Sequence, residues 1–138
     1  MKKIIGLAVL IAVLAGGFYG YTQWTKPHRE IAAATEDLNI TAADLYKAFS
    51  TNEAAANPKY LDKLIKVCGT VADNSATDNG VTTVQLQTGV EMGTVMCELD
   101  KLTKQEKMSF AKGETVCFKG LCSGYLTDVV LNRCVLTH

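Results

Sequence analysis

The chain has 138 residues, is 48% hydrophobic, and balances 14 Lys/Arg against 14 Asp/Glu. From residue 40 onward ten Lys/Arg face eleven Asp/Glu, so the basic surplus from which nucleic-acid binders draw much of their affinity is absent. The length leaves room for one domain of about 100 residues, with one core, behind an apolar N-terminus.

Met1-Lys2-Lys3 precedes an uncharged run from Ile4 to Tyr21. As a helix this run would extend about 27 Å, close to the roughly 30 Å hydrocarbon core of a bilayer. Phe18, Tyr19, Tyr21 and Trp24 gather at its far end, as at a membrane interface, and Lys26, His28 and Arg29 close it. The competing reading is a cleaved signal peptide, with Lys2-Lys3 as its basic start and Ala15-Gly16-Gly17 as small residues. The length of the run and the aromatic cluster favour an anchor. No cysteine follows directly to carry a lipid. Two lysines before the run and Lys26 with Arg29 after it tie the charge rule for orientation. A very short N-terminus ahead of a first apolar helix is the export arrangement. The expectation is a single-pass protein with its domain outside the cytoplasm, divided into an anchor or uncleaved signal (1–25), a polar tether (26–40) and a folded domain (41–138).

Thr41-Ala42-Ala43-Asp44 carries the cap and the acidic residue that start a helix. Leu45, Ala48 and Phe49 follow at helical spacing, and Pro58 is expected to end the helix. Tyr46, Phe49 and Tyr60 read as core. Ile65–Val71 alternates with a period of two, with Gly69 at a bend. Asp73-Asn74-Ser75 and Asp78-Asn79-Gly80 are loop chemistry rather than a cation site. Val81–Gln87 and Val95–Leu99 are the second and third strands. Asp100–Ala111 reads as a helix closed by Gly113. Thr115–Cys122 and Val129–Leu136 are the fourth and fifth strands. Five strands, a helix between the third and fourth, and an N-terminal helix make an all-β class with accessory helices: a five-stranded Greek-key OB-fold barrel behind one transmembrane helix.

Particular residues carry a resemblance. Leu45-Tyr46-Lys47-Ala48-Phe49, Asn52–Asn57, Lys59-Tyr60, Val67–Val71, Lys119–Leu126 and Asp128–Cys134 resemble the tRNA-anti-like OB-fold family over about residues 41 to 137. The most specific piece is Gly-x-Cys-x-Gly followed by Asp-Val-Val-Leu-x-x-Cys. The resemblance implies the barrel and small, often exported or anchored proteins without an assigned activity.

Five cysteines, at 68, 97, 117, 122 and 134, cannot all pair within one chain. No C-x-x-C motif is present and the two histidines are His28 and His138, so neither a zinc site nor a cysteine enzyme is expected. Cys122 and Cys134 on the last two strands are one candidate disulfide. A turn centred between Tyr125 and Leu126 would instead set Cys117 opposite Cys134, and buried free thiols are the third reading. No paired-carboxylate, phosphate-loop or Ser-His-Asp pattern is seen, and no cofactor is implied. OB-folds bind across their second and third strands, which points to Thr83, Gln85, Gln87, Met96 and Glu98. That face is polar, near neutral and without the aromatic platforms of single-strand binders. The expected function is a non-enzymatic, membrane-anchored module binding a protein or envelope component. Nucleic-acid binding is the alternative, by fold analogy alone.

Overall fold

The computed structural model describes residues 11–21 and 31–138. Its folded part contains β1 (Leu38–Thr41), α1 (Ala42–Thr51), α2 (Glu53–Tyr60), β2 (Leu64–Ala76), β3 (Thr82–Gln87), β4 (Thr94–Leu99), β5 (Thr115–Tyr125) and β6 (Val129–Thr137). Strands β2, β3, β4, β6 and β5 pair in that order, and β5 returns to β2 to close a five-stranded barrel. Every pairing among them is antiparallel except β4 with β6. Each of the five expected strands lies within, or within one residue of, a barrel strand. Alternation explains this: Val84, Leu86, Val95, Cys97, Leu99, Val129 and Leu131 all turn into the core.

Two local expectations change, besides Asp73-Asn74-Ser75, which lies in β2 paired with β3 rather than in a loop. The expected single helix is two, because Asn52 interrupts it in extended conformation and its side chain accepts from the Ala55 N–H at 3.1 Å. Pro58 therefore lies inside α2 rather than ending α1. Thr41 caps α1, accepting from the Asp44 N–H at 3.1 Å while its hydroxyl donates to the Asp44 carboxylate at 2.7 Å. Thr41→Ala and Asn52→Ala should each cost about 1 kcal/mol in urea unfolding, the usual worth of an N-cap. A loss under about 0.3 kcal/mol would show that tertiary packing alone holds the helix starts.

The second change is larger. Residues 100–114, expected to contain a helix between the third and fourth expected strands, are an irregular loop. Leu102, Met108 and Phe110 do not repeat at three or four, and only Phe110 is buried. Polar side chains hold the loop instead. Asp100 accepts from the Leu102 N–H and the Thr103 hydroxyl, and Gln105 donates to the Cys134 carbonyl while accepting from the Leu136 N–H. Phe110 then caps one end of the barrel, edge-on to Phe118.

Helix α1 covers the other side. Ala42, Leu45, Tyr46 and Phe49 form its buried face, and Ala42 lies so close to Gly69 that a Cβ there would meet Ala42 Cβ at 2.9 Å. Gly69 thus also admits the helix, besides lying in a strand that bends. Residues 26–40, expected as a tether, are described from residue 31. Ile31 is buried against Leu64 and Val135, the Lys119 ammonium donates to the Ala32 and Ala34 carbonyls, and β1 pairs parallel with β2. The expected transmembrane helix over 4–21 is not shown. Residues 11–21 are helical and exposed, residues 4–10 lie outside the described residues, and no described helix is long and apolar enough to cross a membrane.

Candidate functional site: the outer face of β3, β4 and β6

The β3–β4 register sets Thr83 opposite Glu98, Gln85 opposite Met96 and Gln87 opposite Thr94. The five residues expected on the ligand face therefore share one side of two neighbouring strands. Gln85, Met96 and Glu98 are half-buried and Gln87 is exposed. Thr83 is only 5% exposed, which leaves it as support rather than contact.

At the β4 end the face runs into a groove of about 390 Å³ lined by Val81, Glu98, Asp100, Leu102, Asn132 and Arg133, with Leu99 and Lys101. The groove owes its shape to an irregularity between β4 and β6. Cys97 stands opposite Leu131, but Leu99 stands opposite Cys134, so β6 holds one extra residue. Arg133 takes up the excess with a φ of 55°. Its guanidinium approaches the buried Asp100 carboxylate at 3.6 Å. Asp100 is simultaneously the anchor of the following loop, so groove and loop share one carboxylate. Glu98 and Asp100 offset Lys101 and Arg133, and Leu102 and Val81 supply apolar wall. No aromatic side chain lines the groove.

A left-handed φ costs a non-glycine residue about 1–2 kcal/mol, and a partly exposed ion pair returns at most about 1 kcal/mol. Arg133→Gly should therefore leave the melting temperature within a few degrees of the parent. Arg133→Val, which adds β-branching in the same conformation, should lower it clearly. Equal losses for both would show that the ion pair, not the backbone, governs this site.

Buried free thiols, one of the three readings, hold for three of the cysteines, and the bridge is one that the sequence did not single out. Cys68 and Cys117 are directly opposed in the β2–β5 ladder and form a disulfide, with Cα atoms 4.0 Å apart. Cys97, Cys122 and Cys134 are free and buried, so the Cys122–Cys134 pairing is not formed. The position of the β5–β6 turn explains why: Tyr125 stands opposite Val129, so the hairpin turns about Thr127, Cys122 faces Leu131 and Cys117 faces Thr137. Burial pushes the Cys122 thiol up to about 11, against a hydrogen bond from the Gly124 backbone that lowers it. Burial likewise holds the Cys134 thiol well above its ordinary value, helped by hydrogen bonding with Cys97. Neither is prepared as a nucleophile at neutral pH. Among the described residues no group of three or more His, Cys, Asp or Glu could hold a metal ion.

Sequence reasoning missed Asp100, Leu102, Asn132 and Arg133. The available signal was the spacing of Leu131 and Cys134, two buried apolar residues three apart in a strand.

Comparison with known proteins agrees with this architecture. No curated protein matches the chain. A solved structure from Klebsiella pneumoniae subsp. pneumoniae MGH 78578, described as a "putative nucleic acid-binding lipoprotein", superposes with a TM-score of 0.58 at 16% identity. The match covers 82% of this chain and 100% of that one, and at such identity the likeness is one of fold. The family model tRNA_anti-like matches residues 1–136, so the chain belongs to the tRNA_anti-like family.

Proposed function

We propose that the protein is a non-enzymatic binding module, held at a membrane by residues 4–21, whose barrel works outside the cytoplasm. On this reading a protein or envelope component sits across Gln85, Met96 and Glu98 and into the groove beside Arg133. The observation that carries the reading is the Cys68–Cys117 disulfide. Structural disulfides form and persist in oxidising compartments and are rare in the reducing cytosol. The exposed apolar side chains of residues 11–21, among them Ile11, Leu14 and Phe18, support an anchoring role, since the barrel does not cover them. The near-neutral polar face with an apolar rim suits a polypeptide or envelope polymer.

A second reading, nucleic-acid binding, is favoured by the description of the Klebsiella lipoprotein. Against it stand the balanced charge of the groove and the lack of stacking aromatics there. The two readings separate on one experiment. A photoreactive benzoylphenylalanine replacing Gln85 is irradiated in living cells. The proposal expects an adduct removed by protease or by a glycan-cleaving enzyme, and weakened by Glu98→Arg. An adduct removed by nuclease, or single-stranded oligonucleotide binding that falls steeply with salt, would replace it with the second reading.

A further inference from the structure

The loop over residues 100–114 is fastened to the barrel by Asp100, Gln105 and Phe110. Fastened this way, it leaves two large apolar side chains outside: Leu102 is 70% and Met108 43% exposed. Lysines flank both. Lys107 pairs with Glu114 at 2.5 Å and Lys112 with Asp73 at 3.4 Å. Lys101 and Lys104 are exposed, and neither has an acidic partner among the described residues. The Lys101 ammonium donates to the uncharged Asn79 carbonyl. The exposed acid of the loop, Glu106, faces the His138 ring at 3.9 Å. The chain also reaches the barrel at this end: Ile31 is buried against Leu64 and Val135, and Ala32 lines one hollow with Thr103, Lys104 and Leu136. Residues 22–30 separate Ile31 from the apolar run, so ten Cα steps hold Ile31 within about 36 Å of Tyr21. The register fixes the opposite end, where residues 88–93 join β3 to β4 and residues 126–128 join β5 to β6. Those turns expose Val90, Met92 and Leu126 beside Glu91 and Asp128, and hold no lysine or arginine. The run of β6 from Leu136 to Val129 puts about 20 Å between the two ends.

We infer that the loop end of the barrel, through Leu102, Met108, Lys101 and Lys104, docks onto the phospholipid surface of the membrane that holds residues 4–21. This rests on the proposed anchor. Leu102 and Met108 enter the headgroup layer, while Lys101 and Lys104 lay their methylene stems along it and meet lipid phosphates. Four side chains would hold a free protein to a bilayer only weakly. The anchor makes docking an intramolecular step, and the short connection to Ile31 keeps the effective concentration of lipid high. Contact stays at headgroup depth, where water-soluble reagents still reach the neighbouring Ser109. The candidate groove shares Lys101 and Leu102 with this contact. It therefore opens at the membrane surface, and its ligand is one presented there. The acidic far end, with Val90, Met92 and Leu126, points away from the bilayer.

The test reads the depth of each end in vesicles. The full chain carrying Leu102→Cys, Met108→Cys or Leu126→Cys is labelled with an environment-sensitive fluorescent maleimide; the native cysteines are buried or bonded to each other. It is reconstituted into phosphatidylcholine vesicles with and without phosphatidylglycerol. The inference expects lipids spin-labelled near the headgroup to quench the probe at residues 102 and 108 and to leave the probe at 126 in water. With phosphatidylglycerol present, Lys101→Gln and Lys104→Gln should each shift the docked population against the undocked one by about fivefold. No quenching at 102 and 108, or stronger quenching at 126, would overturn the docking and leave the anchor intact, provided the chain still floats with the vesicles in alkaline carbonate. A blue-shifted probe at 102 that spin-labelled lipid does not quench would mean that a second copy covers this end, and would overturn it equally. Loss of the chain from the vesicles in carbonate would overturn the anchor itself, and the docking with it.

Discussion

Replacing Cys68 and Cys117 together by Ala is expected to lower the stability of the barrel by about 4 kcal/mol. The bridge joins residues 49 positions apart, and the chain-entropy account of a loop near 50 residues gives that magnitude at 25 °C. For a domain of about 100 residues this corresponds to a fall in melting temperature on the order of 20 °C. The site argues for the full effect. Cys68 also pairs with Thr41 of β1, so the bridge fastens the strand on which β1, β3 and β5 all converge. Urea unfolding of the double variant against the oxidised parent checks it, and the released denatured chain should also give a larger urea dependence. A loss below about 1 kcal/mol would show that β2 and β5 are held by their ladder alone.

Phe49→Ala should be about as damaging, at roughly 3–5 kcal/mol, the usual cost of emptying a large aromatic from a packed core. Phe49 is 1% exposed. Its ring stacks on Tyr125 of β5 at 5.8 Å and lies against Tyr60 of α2 at the same separation. Tyr125 in turn meets Tyr46 edge-on, and the Tyr46 hydroxyl donates to the Met92 carbonyl at 3.0 Å. The Phe49 ring therefore connects both helices to the β5–β6 hairpin, and Tyr125 and Tyr46 carry the contact on to the β3–β4 loop. Phe49→Leu should cost much less because it restores most of the volume. If both variants unfolded at the parent's urea midpoint, the helices would be accessory to the barrel rather than part of its core.

The barrel was legible because its signals are local. Alternation in Val81–Gln87 and Val95–Leu99, and the turn residues between them, need no knowledge of distant partners. The expected ligand residues came together for the same reason: a period of two fixes the side, and the antiparallel register fixes the neighbours. What was not legible depends on contacts across the chain. Residues 100–111 have acceptable helix formers, yet the loop is decided by Asp100 and Gln105 bonding to their own turn and to β6. The disulfide depended on the register of β2 against β5, two strands far apart in sequence, and a β5–β6 turn centred on Thr127 rather than between Tyr125 and Leu126 moves every pairing of that hairpin. Arg133 was hidden behind the same difficulty. A strict alternation sends residue 133 inward with Leu131, whereas the extra residue sends Cys134 there instead. Strand β1 was obscured by its brevity and by Ala-rich sequence before it, since four residues of parallel pairing leave little periodic trace.

The central claim is that this barrel works outside the cytoplasm, and an introduced cysteine tests it most directly. Ser109→Cys stands on the exposed loop before β5, whereas Cys97, Cys122 and Cys134 are buried and Cys68 and Cys117 are bonded to each other. Intact cells producing the variant are treated with a membrane-impermeant maleimide. The account predicts that residue 109 is labelled before the cells are opened. Labelling that requires permeabilisation would place the barrel inside and contradict the account.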